Sequence, residues 1–233
     1  MSLRNIKRPK LTETVAERLA AAIRRGEYRP GDRLPTEAEL RDRLGVSRNV
    51  VREAINELRA RGLVVTRQGS GSVVSGEVHK PIRQVMADLM GDEDGAEGKL
   101  LELREVLETR VAALAAQRAD TSQVAEMESL LRRFEAAGGD LQACAELDVA
   151  FHAAIGRAAR NELFGLVLTP LNELLVPTRL RALQRSGPAV AAAMHRAILA
   201  AIRAGNGALA ARRMAEHIAY TVKAWKRARR NNK

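Results

Sequence analysis

The sequence predicts a mainly α-helical protein with one small β-hairpin, and three observations carry that prediction. Aromatic residues make up only 3% of the chain, while Ala, Leu and Arg are abundant, which suits helices better than sheets. Apolar residues recur at helical spacing along most of the length. The exception is a pair of short β-prone runs, Leu63-Val64-Val65-Thr66 and Val73-Val74, around the turn-forming Gln68-Gly69-Ser70-Gly71. The 233 residues, 46% of them hydrophobic, suffice for one large core or two modest ones.

The elements follow in order. Residues 1–10 are read as an N-terminal arm. Residues 11–26 read as a helix in which Val15, Leu19, Ala22 and Ile23 share one face. Thr14 and Glu17 give it a capping-box pattern, and Gly26 through Pro30-Gly31 breaks it. Thr36 starts a second, short helix, with Glu39 as its box partner and Gly45 as its stop. Ser47 is a good N-cap for a third, with Val51, Ala54, Ile55 and Leu58 as the buried stripe and Gly62 as the stop. Two short helices around a glycine-containing turn form a helix-turn-helix, and the hairpin after them forms a wing. Residues 11–78 are therefore predicted to be a winged helix-turn-helix domain.

Residues 79–98 read as an interdomain linker. They hold an amphipathic stretch from Ile82 to Met90 and then Gly91-Asp92-Glu93-Asp94-Gly95. Residues 99–233 contain five or six helical segments with short connections, which predicts an antiparallel all-α bundle. Leu103, Leu107, Val111 and Leu114 are the expected inward face of its first helix. Thr121 and Gly138-Gly139 bound the second, and Asn161 caps a longer segment that Pro170 and Pro177 kink or divide. Ser186-Gly187-Pro188 starts the next helix and Gly205 ends it.

Charge is placed unevenly. The formal net charge is +11, and residues 1–78 carry 16 Lys and Arg against 10 Asp and Glu. Residues 79–222 carry 17 against 18, and the chain from Lys223 onward holds six basic residues and no acid. A basic N-terminal module points to a polyanion. The basic tail suits a helix C-terminus, with DNA contact as its alternative. Cys144 is the one cysteine, which excludes an intramolecular disulfide and favours a reducing compartment. The chain opens without the apolar core of a signal peptide and has no run of roughly 18 apolar residues. A cytoplasmic protein with no membrane partner is expected.

The third helix has the chemistry of a DNA reader. Ser47, Arg48, Asn49 and Arg52 lie at its exposed start, and Arg48 and Arg52 share a face. Arginine can donate a bidentate pair to guanine, and asparagine can do so to adenine. Ser47 and the free backbone N–H groups of the helix start suit a phosphate. At the wing tip, Gly69 and Gly71 allow close backbone approach, and Arg67 and Gln68 could reach a base edge or phosphate. Ordinary solvated arginines are the plain alternative. A helix-turn-helix protein normally binds double-stranded DNA as a homodimer on a near-palindromic site.

These residues resemble a known signature. Gly31-Asp32-Arg33-Leu34-Pro35-Thr36-Glu37, Gly45-Val46-Ser47-Arg48-Asn49-Val50-Val51-Arg52-Glu53-Ala54-Ile55 and Gln68-Gly69-Ser70-Gly71 are similar to the winged helix of GntR-family regulators. The resemblance implies that Ser47, Arg48, Asn49, Val50, Arg52, Gln68 and Gly69 fall where that family contacts DNA. Ala38 departs from members that place an arginine there.

The second domain offers a ligand set. Of the four histidines, His152, His195 and His217 lie at helical positions beside apolar residues, while His79 belongs to the linker. Asp148 and His152 are four apart on one face, flanked by Leu147, Phe151 and Ile155. A carboxylate and an imidazole are costly to bury unless paired. One divalent cation held by Asp148, His152, His195 and His217 would satisfy all four, and imidazole with carboxylate suits zinc, nickel or manganese. Each histidine alone could instead be a hydrogen-bonded core residue.

A second resemblance covers residues 99–222. Leu103-Arg104-Glu105-Val106-Leu107-Glu108, Asp148-Val149-Ala150-Phe151-His152, Asn161, His195 and His217 are similar to the FCD ligand-binding domain of the FadR subfamily. The resemblance implies that Asp148, His152, His195 and His217 hold the ion and that a small organic or sugar acid binds beside it. It also implies that Arg104 holds the effector's carboxylate, for which a guanidinium fork is suited, and that Asn161 contributes. The plain alternatives are a surface pair of Arg104 with Glu108 and a simple helix cap at Asn161. Met194 stands where members often carry Glu. The expected function is a ligand-responsive, DNA-binding transcription regulator and not an enzyme. No nucleophile pattern and no paired Glu-x-x-His motif supports catalysis. A regulator with a purely structural metal, or a metal-dependent enzyme fused to a DNA-binding module, are the other classes.

Overall fold

The computed structural model describes residues 11–67, 71–91 and 95–230. It divides into two compact units after Pro81. The first holds α1 (Leu11–Arg24), α2 (Glu37–Leu44), α3 (Arg48–Ala60), β1 (Val64–Arg67) and β2 (Gly71–Val74). The caps explain the boundaries. Thr36 accepts the Glu39 backbone N–H while the Glu39 carboxylate accepts that of Thr36, a complete capping box. Gly45 ends α2 in the left-handed region at φ 64°, which favours glycine. Ser47 caps α3 by accepting the Val50 N–H. Thr14 is not a cap, because α1 already begins at Leu11 and places Thr14 inside its first turn.

Val15, Leu19, Leu40, Val51, Ala54, Ile55 and Leu58 close one core, sealed by Val64 and Val74 of the hairpin. The strands pair antiparallel from Val64–Val74 to Arg67–Gly71. The hairpin is thus a wing, and the unit is a winged helix-turn-helix. The N-terminal arm, Gln68, Gly69 and part of the acidic stretch after Gly91 lie outside the described residues.

The second unit is all helical: α4 (Lys80–Met90, which spans the division), α5 (Ala96–Arg118), α6 (Thr121–Ala137), α7 (Leu141–Ala158), α8 (Glu162–Leu174), α9 (Val176–Ser186), α10 (Pro188–Arg203) and α11 (Gly207–Arg230). The segment expected as linker is therefore largely helix, since α4 and the first turn of α5 fall within residues 79–98. From α5 to α11 the described residues form seven helices, against the five or six expected. Pro177 sits in the first turn of α9, where its missing N–H is harmless, and divides the long segment at Leu175. Pro170 stays inside α8. Helix α6 begins at Thr121 as expected, capped by Asp120 with Gln123 completing a capping box.

Helices α5 and α11 pack along each other in opposite directions, with glycine at both ends of the pair. A Cβ on Gly98, at the start of α5, would lie 2.8 Å from the Trp225 ring near the end of α11. A Cβ on Gly207, at the start of α11, would lie 2.9 Å from the Ala113 carbonyl. Around them Leu101, Val111, Met127, Phe151, Ile155, Leu171, Ile198, Met214 and Ile218 form the main core. The inward face of α5 differs from expectation. Leu103 is 40% exposed, whereas Arg104 and Glu108 are buried between Leu101 and Val111. No helix among the described residues is long and apolar enough to cross a membrane.

Candidate functional site

The start of α3 presents a polar face. Arg48, Asn49 and Arg52 are exposed, while Val50 leans on the core and Val51 is buried. Arg52 donates to the Asn49 side-chain oxygen at 3.3 Å, and neither Arg48 nor Arg52 makes an ion pair among the described residues. Both guanidinium groups are thus available to an approaching polyanion. The Ser47 hydroxyl is engaged in its cap.

Three helices converge in the second unit. Asp148 and His152 come from α7, His195 from α10 and His217 from α11, and all four are buried. One ligand atom from each lies within 4.8 Å of the others. His152 Nε2 is 3.2 Å from His217 Nε2, and His195 Nε2 is 3.1 Å from Asp148 Oδ1. The second oxygen of Asp148 lies 3.8 Å from His152 Nε2. Nδ1 of His195 and Nδ1 of His217 have no hydrogen-bond partner among the described residues. Buried polar atoms without partners are rare and costly, and one carboxylate with three imidazoles is a donor set that fits a single divalent cation, bound through one nitrogen of each ring.

The surroundings tune the set. The Glu108 carboxylate abuts Nδ1 of His152 and accepts from Arg104 Nε at 2.9 Å. A carboxylate on Nδ1 favours the tautomer that leaves Nε2 bare for a ligand. Arg104 Nη2 lies 3.0 Å from that Nε2. Arg179, on α9, donates to Asp148 and reaches the Asn172 carbonyl at 2.8 Å and its side-chain oxygen, across the break between α8 and α9. Burial opposes ionisation of Asp148, but the Arg179 guanidinium, then His152 and His195, hold its carboxyl well below the usual range. Glu108 is lowered likewise, against burial, by Arg104 and then His152. Burial pushes the His152 imidazole down, and burial with the charges of His195 and His152 pushes His217 further down.

A pH dependence follows from those directions. The unfolded chain protonates both imidazoles near their ordinary value of about 6.5, while the folded chain resists. Stability conferred by the two neutral rings is therefore present above about pH 6.5 and lost on acidification below it. In chelator, the urea midpoint should be lower at about pH 5.5 than at about pH 7.5, with the unfolding free energy falling by up to about 1.4 kcal/mol per pH unit below about pH 6.5 for each ring. Equal midpoints would contradict the depressed values.

A narrow cleft with about 30 Å3 of free space, partly open to solvent, reaches this cluster. Arg104, Asp148, Arg179 and His217 line it together with Ser186, Tyr220 and Thr221. Asn161 does not line it. Asn161 caps α8, accepting the Leu163 N–H. Arg104 and Glu108 do form the anticipated pair, but inside the bundle, 1% and 2% exposed. Sequence reasoning missed Glu108 as a partner of His152 and missed Arg179 and Asn172 altogether. A signal existed for Arg179, which sits in the stripe Leu175–Arg179–Leu183, four residues from a buried leucine on either side.

A winged helix-turn-helix joined to a helical ligand-binding bundle defines a class, the two-domain DNA-binding transcription regulators. Comparison with known proteins gives the family. Residues 11–74 match the bacterial regulatory proteins of the gntR family, and residues 99–220 match the FCD domain. The chain belongs to the GntR family of regulators, with an FCD domain of the FadR type. It is 31% identical over 206 residues to the HTH-type transcriptional regulator LutR of Bacillus subtilis, covering 84% of this chain and 92% of the relative. It is 30% identical over 154 residues to the galactonate operon transcriptional repressor of Escherichia coli, covering 64% of this chain and 67% of the relative. A solved Streptococcus agalactiae GntR structure superimposes with a TM-score of 0.73 at 30% identity, covering 91% of this chain and 99% of that one.

Proposed function

We propose that this regulator binds double-stranded operator DNA as a homodimer and that a small carboxylate or sugar acid, bound beside a divalent metal ion, sets its affinity. The convergence of Asp148, His152, His195 and His217, with unpartnered ring nitrogens, carries this reading. The relative named for a galactonate operon supports a sugar acid as one member of the effector class.

In the DNA-binding domain, Arg48, Asn49 and Arg52 read base edges from α3, with Ser47 and Val50 fitting the helix start to the duplex backbone. Arg67, Gln68 and Gly69 reach the groove or phosphates from the wing. In the helical domain, Asp148, His152, His195 and His217 hold the ion, with zinc and nickel suited best and manganese next. The ion supplies a Lewis-acidic position for a ligand oxygen. Glu108 holds His152 in its tautomer. Arg179 keeps Asp148 ionised. With the His152 Nε2 engaged, the Arg104 fork turns to a ligand carboxylate. Asn161 lies outside the pocket and serves as the cap that fixes the start of α8. Charge favours an acid: Arg104 and Arg179 already balance Glu108 and Asp148, so the ion's charge is left for an anion to offset. An effector spanning α5, α9 and α11 selects one arrangement of those helices, and the DNA-binding domains follow. The reader of cytoplasmic DNA needs no membrane, and no catalytic step is required of any residue.

Elemental analysis of protein purified without added metal should show about one equivalent per chain, and His195→Ala should lose it. Sugar acids and short carboxylates should then raise the melting temperature in a concentration-dependent way, abolished by chelator, and shift operator affinity. Metal without any ligand response would leave the ion a structural part and end the sensor reading.

A further inference from the structure

A groove beside the effector pocket is lined by Arg185, Ser186, Tyr220, Lys223, Ala224 and Arg227. Ser186 and Tyr220 also line the inner pocket, so the two spaces meet at that pair. The groove offers about 370 Å3 of free space and is partly open to solvent. Its charge is of one sign. No acidic side chain lines it, and Arg185, Lys223 and Arg227 are exposed and make no ion pair among the described residues. Elsewhere on the same domain exposed arginines find acids: Arg157 pairs with Glu126, Arg181 with Glu97 and Arg196 with Glu135.

The local backbone adds to this field. Ser186 ends α9, and Gly187 turns the chain at φ 74° into α10, whose N-terminus has no side-chain cap. Gly187 and Ala191 line the inner pocket, so the positive end of this 16-residue helix lies at the junction. Like charges left uncompensated along one groove repel each other and attract a small anion.

We infer that the effector carries a second anionic group, a carboxylate or a phosphate, which lies against Arg185, Lys223 and Arg227. Its first acid group lies inside, at Arg104 and Arg179. This rests on the effector reading above and narrows it from acids in general to elongated dianions. Ser186 and Tyr220 flank the middle of such a ligand. Arg185 and Arg227 can grip planar oxygens bidentately, and Lys223 acts as a point charge. The contacts are solvent-exposed, so the gain is about tenfold at low salt and shrinks as salt rises.

Calorimetric titration of the purified full-length protein tests this with matched probes: butyrate against succinate, and glycerate against phosphoglycerate. At least one dianion should bind about tenfold tighter than its partner, and the pair that does so distinguishes carboxylate from phosphate. Arg185→Ala with Lys223→Ala should bring the dianion down to the monoanion and leave the monoanion unchanged. Equal binding of both members of each pair overturns the inference while leaving the acid-sensor reading intact. Binding of neither overturns both. A double variant that keeps the dianion preference but loses operator affinity assigns the groove to DNA and also overturns it.

Discussion

Replacing Arg179 by methionine is expected to destabilise the helical domain by about 3–5 kcal/mol in the absence of metal. The change leaves the buried Asp148 carboxylate without its cation and strips donors from both oxygens of Asn172. For a domain of this size each kcal/mol moves the melting temperature by about 2–4 °C, so a fall on the order of 10 °C is expected in chelator. Arg179→Met combined with Asp148→Leu should recover much of it, because both charges leave together. A single variant that melts with the wild type would show that Asp148 does not depend on this arginine. Metal should also rescue the single variant in part, since a cation takes over the compensation of Asp148.

Arg48→Ala with Arg52→Ala is expected to weaken operator binding by about a hundredfold or more, each arginine contributing about 1–3 kcal/mol. The two side chains are exposed and free of ion pairs among the described residues, so truncation costs the fold little beyond the Arg52–Asn49 hydrogen bond. The folded core beneath them, Val51, Ala54 and Ile55, is untouched, and thermal stability should hold. Fluorescence anisotropy at fixed salt measures this, with a scrambled duplex beside the operator. Arg48→Ala alone should also relax discrimination at one base position. Unchanged affinity and selectivity would remove α3 from the reading face.

The two domains were unequally legible in the sequence. The DNA-binding unit is specified by local chemistry: the Thr36–Glu39 box, the left-handed Gly45 and the Ser47 cap each act within a few residues. The buried cluster of Asp148, His152, His195 and His217 was legible for a similar reason. Asp148 and His152 share a face by spacing, and His195 and His217 each stand in an apolar stripe. Arg104 and Glu108 were harder, because a helix with Leu100, Leu101, Leu103 and Leu107 offers two apolar faces. The choice between them is tertiary. Arg104 and Glu108 can be buried only because His152 arrives from α7 to share their charge. Arg179 has its partner 31 residues away in sequence, beyond any local pattern. The start of α1 at Leu11 was likewise legible, and only the capping pattern read at Thr14 was misplaced, inside the first turn.

The glycines at the two ends of the α5–α11 pair limit how this domain can move. With Gly98 pressed on Trp225 and Gly207 on the Ala113 carbonyl, sliding one helix along the other would drive side chains into both ends together. Even one helical turn of travel, about 5.4 Å, would trade these fitted contacts for collisions. The pair therefore behaves as a strut. Under the proposed sensor reading, motion driven at the pocket would have to tilt or roll that strut as one body, so the change leaving this domain would be angular.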